Sequence, residues 1–428
     1  MEQQEAELAN RSDGDLPMRR GIATLDKTAF NGGVAFSRVP SGPTHRNETS
    51  FGAVVELVNR HSKAIVLSNV RSGASIAVWP AMQGRILTSS VEGPEGRGFG
   101  WVNHELIASR EVLQHVNSVG GEDRIWLGPE GGQFSIFFAP GVPFDLDHWY
   151  TPPSLDIEAF ETVKESKTSV TFRKAFRLAN YSGAKFYVQI NRAVRLLSKK
   201  QIWSSLGVVG DAGVKVVGFE SENTLTNLAT EGWSKDTGLL SLWVLGQFQS
   251  NSQTTIILPI RSGPIAQLGA PVTTNYFGVV PEERIDIRED VVLFKADARH
   301  RSKLGLSIQR AKGILGSYDT QNHVLTIVQY SQPAEFAEYV NSSWQIQEEP
   351  YNGDVANCYN DGPASPDGEQ LGQFYELESS SPAKVLNPRE AVSHIQRTIH
   401  MVGNEPQLDA VCRATLGIPI EEVRALNT

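Results

Sequence analysis

The chain has 428 residues, 40% hydrophobic and 20% charged, which is the composition of a globular protein and excludes a disordered or collagen-like one. Thirty-nine basic against 48 acidic residues leave a formal net charge of -9, and without a long basic run this argues against a nucleic-acid partner. Two cysteines, Cys358 and Cys412, are too few for a disulfide framework or a Cys-rich zinc site, and no apolar run approaches the roughly 18 residues that span a bilayer.

Residues 1–20 read as a loose polar arm with no apolar h-region. The expectation is a cytoplasmic protein, or a periplasmic or secreted one if a leader has been removed. Residues 21–428 read as a single domain. Strand patterns, rich in β-branched and aromatic residues and bounded by Gly, Pro, Asn and Asp, recur at 53–58, 64–69, 75–79 and 134–138. They continue at 168–178, 184–190, 214–219, 239–248 and 254–260, then at 290–295, 323–329, 373–378 and 391–400. A helix is expected over 103–118. Another is expected over 404–417, with Asn404 as N-cap, Pro406 in the first turn and Gly417 as the stop, and a short one from Pro419. Many short strands and few helices predict an all-β sandwich or barrel with peripheral helices.

No GxxxxGK[ST], HExxH or GxSxG motif is present. The glycine-rich 93–100 lacks a preceding βα unit and reads as a surface loop. Three segments interleave polar, aromatic and turn residues: 120–138, 143–153 and 357–383. The first holds Glu122, Asp123, Arg124, Trp126, Glu130 and Gln133. The second holds Asp147, His148 and Trp149. The third holds Asn357, Tyr359, Asn360 and Asp361 and runs into a strand with Glu376 and Glu378. Aromatic faces with carboxylates, amides and arginines suit a carbohydrate, although Trp126, Trp149 and Trp344 taken singly read as core.

Residues two apart on a strand share a face, so Phe374, Glu376 and Glu378 line one side. If that side is buried, the two carboxyls cannot both ionise freely, and one becomes an acid or base near neutral pH. His394 and His400 share a face of the last strand and read as structural groups. His104 and His148 lie beside turns and polar residues. The basic cluster Lys295, Arg299, Arg301 and Lys303 reads as a solvated turn, with binding of an anionic sugar or phosphate as the other reading. No spacing specifies a metal, and no cofactor is expected.

The segments 120–138, NTLTN (223–227), 238–248, 294–319, YVNSSW (339–344), YNDGP (359–363) and LGQFYELESSSPA (371–383) resemble a bacterial family of unknown function. That family is placed in the galactose mutarotase-like (aldose 1-epimerase-like) superfamily. The resemblance implies a β-supersandwich. It also implies an early Arg after a Gly turn, here Arg85 in QGRILTSS, and a catalytic Glu ahead of a Pro in a late strand, here Glu376 or Glu378 in ELESSSP. Arg389 stands where the superfamily's last-strand turn usually has Gly. GGED (120–123) takes the place of its His-Gly-Gly turn, and its second His has no match.

The expected function is a carbohydrate-active isomerase-like enzyme (epimerase, lyase or hydrolase) working by general acid–base chemistry. Glu376 or Glu378 is the expected base, with Glu376 favoured, and His148 or His104 the acid. Arg85, Arg124, Trp126, Glu130, Gln133, Asp147, Trp149, Asn357, Tyr359 and Asp361 are the expected sugar contacts. A non-catalytic carbohydrate-binding protein on the same fold is the alternative. Segments 120–133, 143–149 and 357–378 are expected to converge on one face, near Arg85.

Overall fold

Alternation decides the long strands. Along Lys185–Leu196 buried and less buried residues alternate strictly, so this segment covers a core with one face only. The computed structural model describes residues 49–427 apart from 336, 364–367 and 369, and the expected arm at 1–20 lies outside them. Its strands are β1 (Ile65–Ser68), β2 (Ser75–Trp79), β3 (Arg85–Ser90), β4 (Arg124–Gly128), β5 (Glu161–Glu165), β6 (Ser169–Ala179) and β7 (Lys185–Leu196). They continue with β8 (Lys215–Asn227), β9 (Ser241–Gln249), β10 (Thr254–Pro259), β11 (Ile285–Ile287), β12 (Val291–Lys295) and β13 (Ser302–Leu306). The last are β14 (Ile314–Asp319), β15 (Val324–Tyr330), β16 (Ala356–Asn360), β17 (Phe374–Ser380) and β18 (Ala391–Val402). The molecule is an all-β fold with few helices.

A ten-stranded sheet runs β11-β12-β10-β14-β15-β18-β8-β7-β6-β5, a five-stranded sheet runs β13-β16-β17-β9-β4, and a small sheet runs β1-β2-β3. Leu304, Cys358, Leu377, Tyr375 and Phe248 of the five-stranded sheet pack on Ile256, Leu258, Phe294, Leu315 and Val328 of the large one. Each such side chain taken fully from water contributes about 1.5–3 kcal/mol. Hydroxyls cross the same gap. Ser379 Oγ meets His394 Nε2 at 2.8 Å, and Ser317 Oγ meets Tyr375 OH at 2.6 Å. β17 is buried along its whole length, so its other face is covered as well.

Some local expectations fail for identifiable reasons. Residues 53–58 are helical, within Phe51–Asn59. Their buried residues Phe51, Val54, Leu57 and Val58 recur every three or four positions, and the Ser50 side chain caps the Ala53 N–H. The helix expected over 103–118 spans only His104–Ser109, because Arg110 turns left-handed at φ 60. Residues 134–138 are a buried loop rather than a strand, joined to Trp149 by one bridge at Phe138. The C-terminal helix Glu405–Leu416 forms as its caps require, with an Asn404–Gln407 capping box and left-handed Gly417.

Candidate functional site

The covered face of the five-stranded sheet carries the charge. Antiparallel register sets Glu376 between Tyr359 and Gln247, and Glu378 between Asn357 and Leu245. Lys303 pairs with Tyr359 across β13 and β16, and Arg124 with Leu245 across β4 and β9. Cross-strand partners share a face, so residues distant in sequence become neighbours. Lys303 Nζ lies 3.0 Å from Glu378 Oε2, and Trp243 Nε1 donates to the same oxygen at 2.8 Å. Arg124 Nη2 lies 3.2 Å from Glu376 Oε1, and its guanidinium stacks 4.0 Å from the Trp126 ring centre.

These groups are withdrawn from water: Glu378 is 0% exposed, Glu376 6%, Arg124 6% and Lys303 7%. A small cleft reaches Lys303, lined also by Ser241, Trp243, Tyr276, Asp354 and Asn357, and Glu378 lies behind this lining, bonded to Lys303 and Trp243. Its wall is braced by Tyr276 OH, which donates to Asp354 Oδ2 at 2.5 Å and accepts from Asn357 Nδ2 at 3.2 Å. Tyr359 OH donates to Asp361 Oδ1 at 2.6 Å. Buried atoms here without a hydrogen-bond partner include Glu378 Oε1, Ser241 Oγ, Gln247 Oε1 and Arg124 Nε. Buried polar atoms are nearly always paired, so such atoms at a cleft mark places where a ligand can bond.

Burial pushes the Glu376 carboxyl up to about 8; Arg124 opposes this and the neighbouring Glu378 adds to it. Burial also raises Glu130, opposed by Lys303 and reinforced by Glu378. Asp354 is raised by burial, and Asp361 is pushed up to about 6 by burial against the Tyr359 hydrogen bond. For Lys303, burial pulls downward, but Glu378, Glu130 and Glu376 outweigh it and the ammonium is held charged. The strand thus presents one carboxyl whose burial outweighs its Arg124 partner and favours the proton near neutrality and, two residues on, one held by both Lys303 and Trp243. Paired carboxyls in unlike surroundings are the arrangement that separates acid from base.

Of the residues expected at a site, Arg124, Asn357, Tyr359, Asp361, Glu376 and Glu378 come together here, with Glu130 in the field of Lys303 and Glu378. Arg85 is 1% exposed in β3, where it donates to Gly120 O at 3.1 Å. Gly121, at φ 117, leaves it room: a Cβ there would lie 2.9 Å from Arg85 Cδ. Gln133 exchanges bonds of 2.8 and 2.9 Å with the Gln347 backbone and fastens a loop. Trp126 is buried, donating to Leu155 O at 3.1 Å, with its ring against Phe137, Trp149 and Trp243. Trp149 stacks on Phe137 and Trp344, so these rings are mainly packing. Asp147 is exposed, and His148 on the same short turn pairs with Asp145 at 2.6 Å. His104 opens a helix that packs on Phe51–Asn59.

Lys303, Trp243, Tyr276 and Asp354 are the site residues that sequence reasoning did not place there. Lys303 is no solvated turn residue, as the basic-cluster reading had it. The cluster disperses: Arg284 holds Asp297 at 2.6 Å, Arg301 lies over the Phe277 ring, and Lys303 points into the cleft. The available signal was the alternation of Ser302–Leu306, where Leu304 and Leu306 face the core and Lys303 must face away. Among the described residues, no group of three or more His, Cys, Asp or Glu could hold a metal ion, and no helix is long and apolar enough to cross a membrane.

Residues 49–427 match the Family of unknown function (DUF6786). Among curated proteins none matches the sequence. A solved structure of a candidate aldose 1-epimerase from Escherichia coli K12 is similar at 12% identity and TM-score 0.48, covering 80% of this chain and 99% of that one. A galactose mutarotase-like protein from Lactobacillus casei is similar at 12% identity and TM-score 0.44, covering 79% and 99%. A galactose mutarotase related enzyme from Lactobacillus acidophilus is similar at 9% identity and TM-score 0.41, covering 80% and 97%.

Proposed function

The chain belongs to the Family of unknown function (DUF6786), so its chemistry is read from its own residues, and we propose that the cleft over β17 binds a sugar and acts on it by general acid–base catalysis. The observation that carries this is the Glu376/Glu378 pair: two carboxyls on one strand face, one lifted by burial and one tied to Lys303. The reaction that asks least of such a pair is interconversion of sugar anomers. Glu378 Oε1, which has no partner, takes the proton of the anomeric hydroxyl. Glu376 gives its proton to the ring oxygen as the bond from that oxygen to the anomeric carbon breaks. The open-chain aldehyde then turns and closes with the proton movements reversed, so protons and electrons balance.

This assignment reverses the roles favoured from sequence, where Glu376 was the base. Burial beside a second carboxyl suits Glu376 to hold a proton rather than to take one. It also leaves His148 and His104 without a part in the chemistry. Lys303 steadies the negative charge of Glu378, and Trp243 orients its carboxyl plane.

The test is anomer exchange followed by NMR on a panel of aldoses. Glu376→Gln and Glu378→Gln are each expected to slow it by about two to four orders of magnitude. Full activity in both variants would sink the assignment. If wild type binds sugars but exchanges none of them, the non-catalytic sugar-binding reading takes its place.

A further inference from the structure

We propose that the Lys303–Glu378 pair is a charge filter: it confines the cleft to uncharged polyhydroxyl ligands and turns away sugar acids and sugar phosphates. The inference rests on the sugar reading above and names the class of sugar.

Among the described residues, the cation that lines the cleft, Lys303, is already engaged. Lys303 Nζ lies 3.0 Å from Glu378 Oε2, and Arg124 lies 3.2 Å from Glu376 and over Trp126. Arg301 lies over Phe277. A ligand carboxylate or phosphate that captured Lys303 would leave Glu378, which is 0% exposed, as a buried charge without its partner. Breaking a buried pair from one side is strongly unfavourable. The anion would also meet the carboxyls of Glu130 and Asp354, both within the electrostatic reach of Lys303.

Arg124 Nε is also without a partner, but Arg124 does not line the cleft, and the open oxygens beside Lys303 ask for a donor. Glu378 Oε1 is fully buried with no partner, and it can only accept while its carboxylate is paired with Lys303. Ser241 Oγ, also without a partner, lines the cleft beside Trp243 and Lys303, the two residues bonded to Glu378. Hydroxyls satisfy both atoms; the charged oxygens of an anion supply no hydrogen to Glu378. Lys303 is then a specificity residue whose positive charge is hidden from the ligand by Glu378. Removing the negative charge of Glu378 should release it.

The experiment is calorimetric titration at pH 7 with matched pairs: D-glucose against D-glucuronate and D-glucose 6-phosphate, and D-galactose against D-galacturonate. Wild type, Glu378→Gln and the double variant Lys303→Met/Glu378→Gln are compared, with a thermal transition recorded for each. Wild type is expected to bind the neutral member at least tenfold tighter. Glu378→Gln is expected to shift that ratio at least tenfold toward the anion, and the double variant to lose the shift. Equal or tighter binding of the acids by wild type overturns the filter while leaving the sugar reading intact. So does an unchanged ratio in folded Glu378→Gln. Should Glu378→Gln not fold, the wild-type ratio and the double variant decide. If wild type binds none of the sugars, the sugar reading itself falls and the filter with it.

Discussion

Lys303 and Glu378 show how a single side chain's surroundings settle its role. Both are buried, and each compensates the other. Glu378→Gln leaves the ammonium short of its partner, so it is expected to destabilise the protein by about 3–5 kcal/mol. Glu376→Gln removes a carboxyl that burial already favours in its neutral form, and its amide oxygen can still accept from Arg124, so it is expected to cost only about 1 kcal/mol. Urea unfolding of the two variants checks the difference, and equal losses would contradict the unequal settings.

Glu376 also predicts a pH slope. Its carboxyl is lifted from 4.5 to about 8, so between those values the folded state holds the proton more tightly than the unfolded chain. Stability from this group is present at low pH and is lost as pH rises toward 8. His394 has the opposite sign. Burial lowers it from 6.5 to about 3, so its contribution is complete above 6.5 and is lost as pH falls toward 3. Thermal midpoints measured from pH 4 to pH 9 are expected to fall on both sides. Glu376→Gln should flatten the limb above about pH 6.5, where ordinary histidines are already neutral. His394→Gln should flatten the acid limb.

At the scale of elements, local chemistry suffices where the caps are strong. The helix Glu405–Leu416 buries Leu408, Val411, Cys412 and Leu416 and closes with a capping box at Asn404. Asn404→Ala is expected to cost about 1 kcal/mol without changing sugar affinity, measured by urea unfolding and calorimetry. The segment 53–58 shows the reverse case. Val, Leu and Ala in AVVELV fit a strand pattern, yet Ser50 and the three-to-four spacing of Phe51, Val54, Leu57 and Val58 commit it to a helix. Short apolar runs carry both periods, and the flanking cap breaks the tie.

For the whole molecule, two acids adjacent in sequence hold the sheets together. Glu122 accepts from Ser89 of β3 at 2.8 Å and meets His400 Nε2 of β18 at 2.9 Å. Asp123 pairs with Arg192 of β7 at 2.5 Å and accepts from Ser221 of β8 at 2.8 Å. Arg192 further donates to Gly84 O at 3.1 Å, beside the small sheet. All four charged or titratable groups, Glu122, Asp123, Arg192 and His400, are at most 1% exposed. Asp123→Asn, which strips a buried guanidinium of its partner, is expected to cost about 3–5 kcal/mol and to lower the thermal midpoint while leaving binding in the folded fraction unchanged. A variant as stable as wild type would show that the network is not structural.

Residues 53–58 and 134–138 read as strands and are a helix and a loop, whereas the all-β class, most of the long strands, the C-terminal caps and the shared face of Glu376 and Glu378 were legible in the sequence. Each depends on periods of two or 3.6 residues, or on a cap within four positions, and such signals are local. What the tertiary structure alone decided was which polar residues meet. GGED looked like the head of a site, and its Glu122 and Asp123 became struts between sheets. Lys303 looked like one member of a solvated basic run and became the partner of Glu378, 75 positions along the chain. Trp126 looked like a sugar platform and was packed under Arg124. The reason is physical: a strand's period determines which way a side chain points, but its neighbours are set by which strands lie beside it. In this fold the order β13-β16-β17-β9-β4 brings together segments from across the chain.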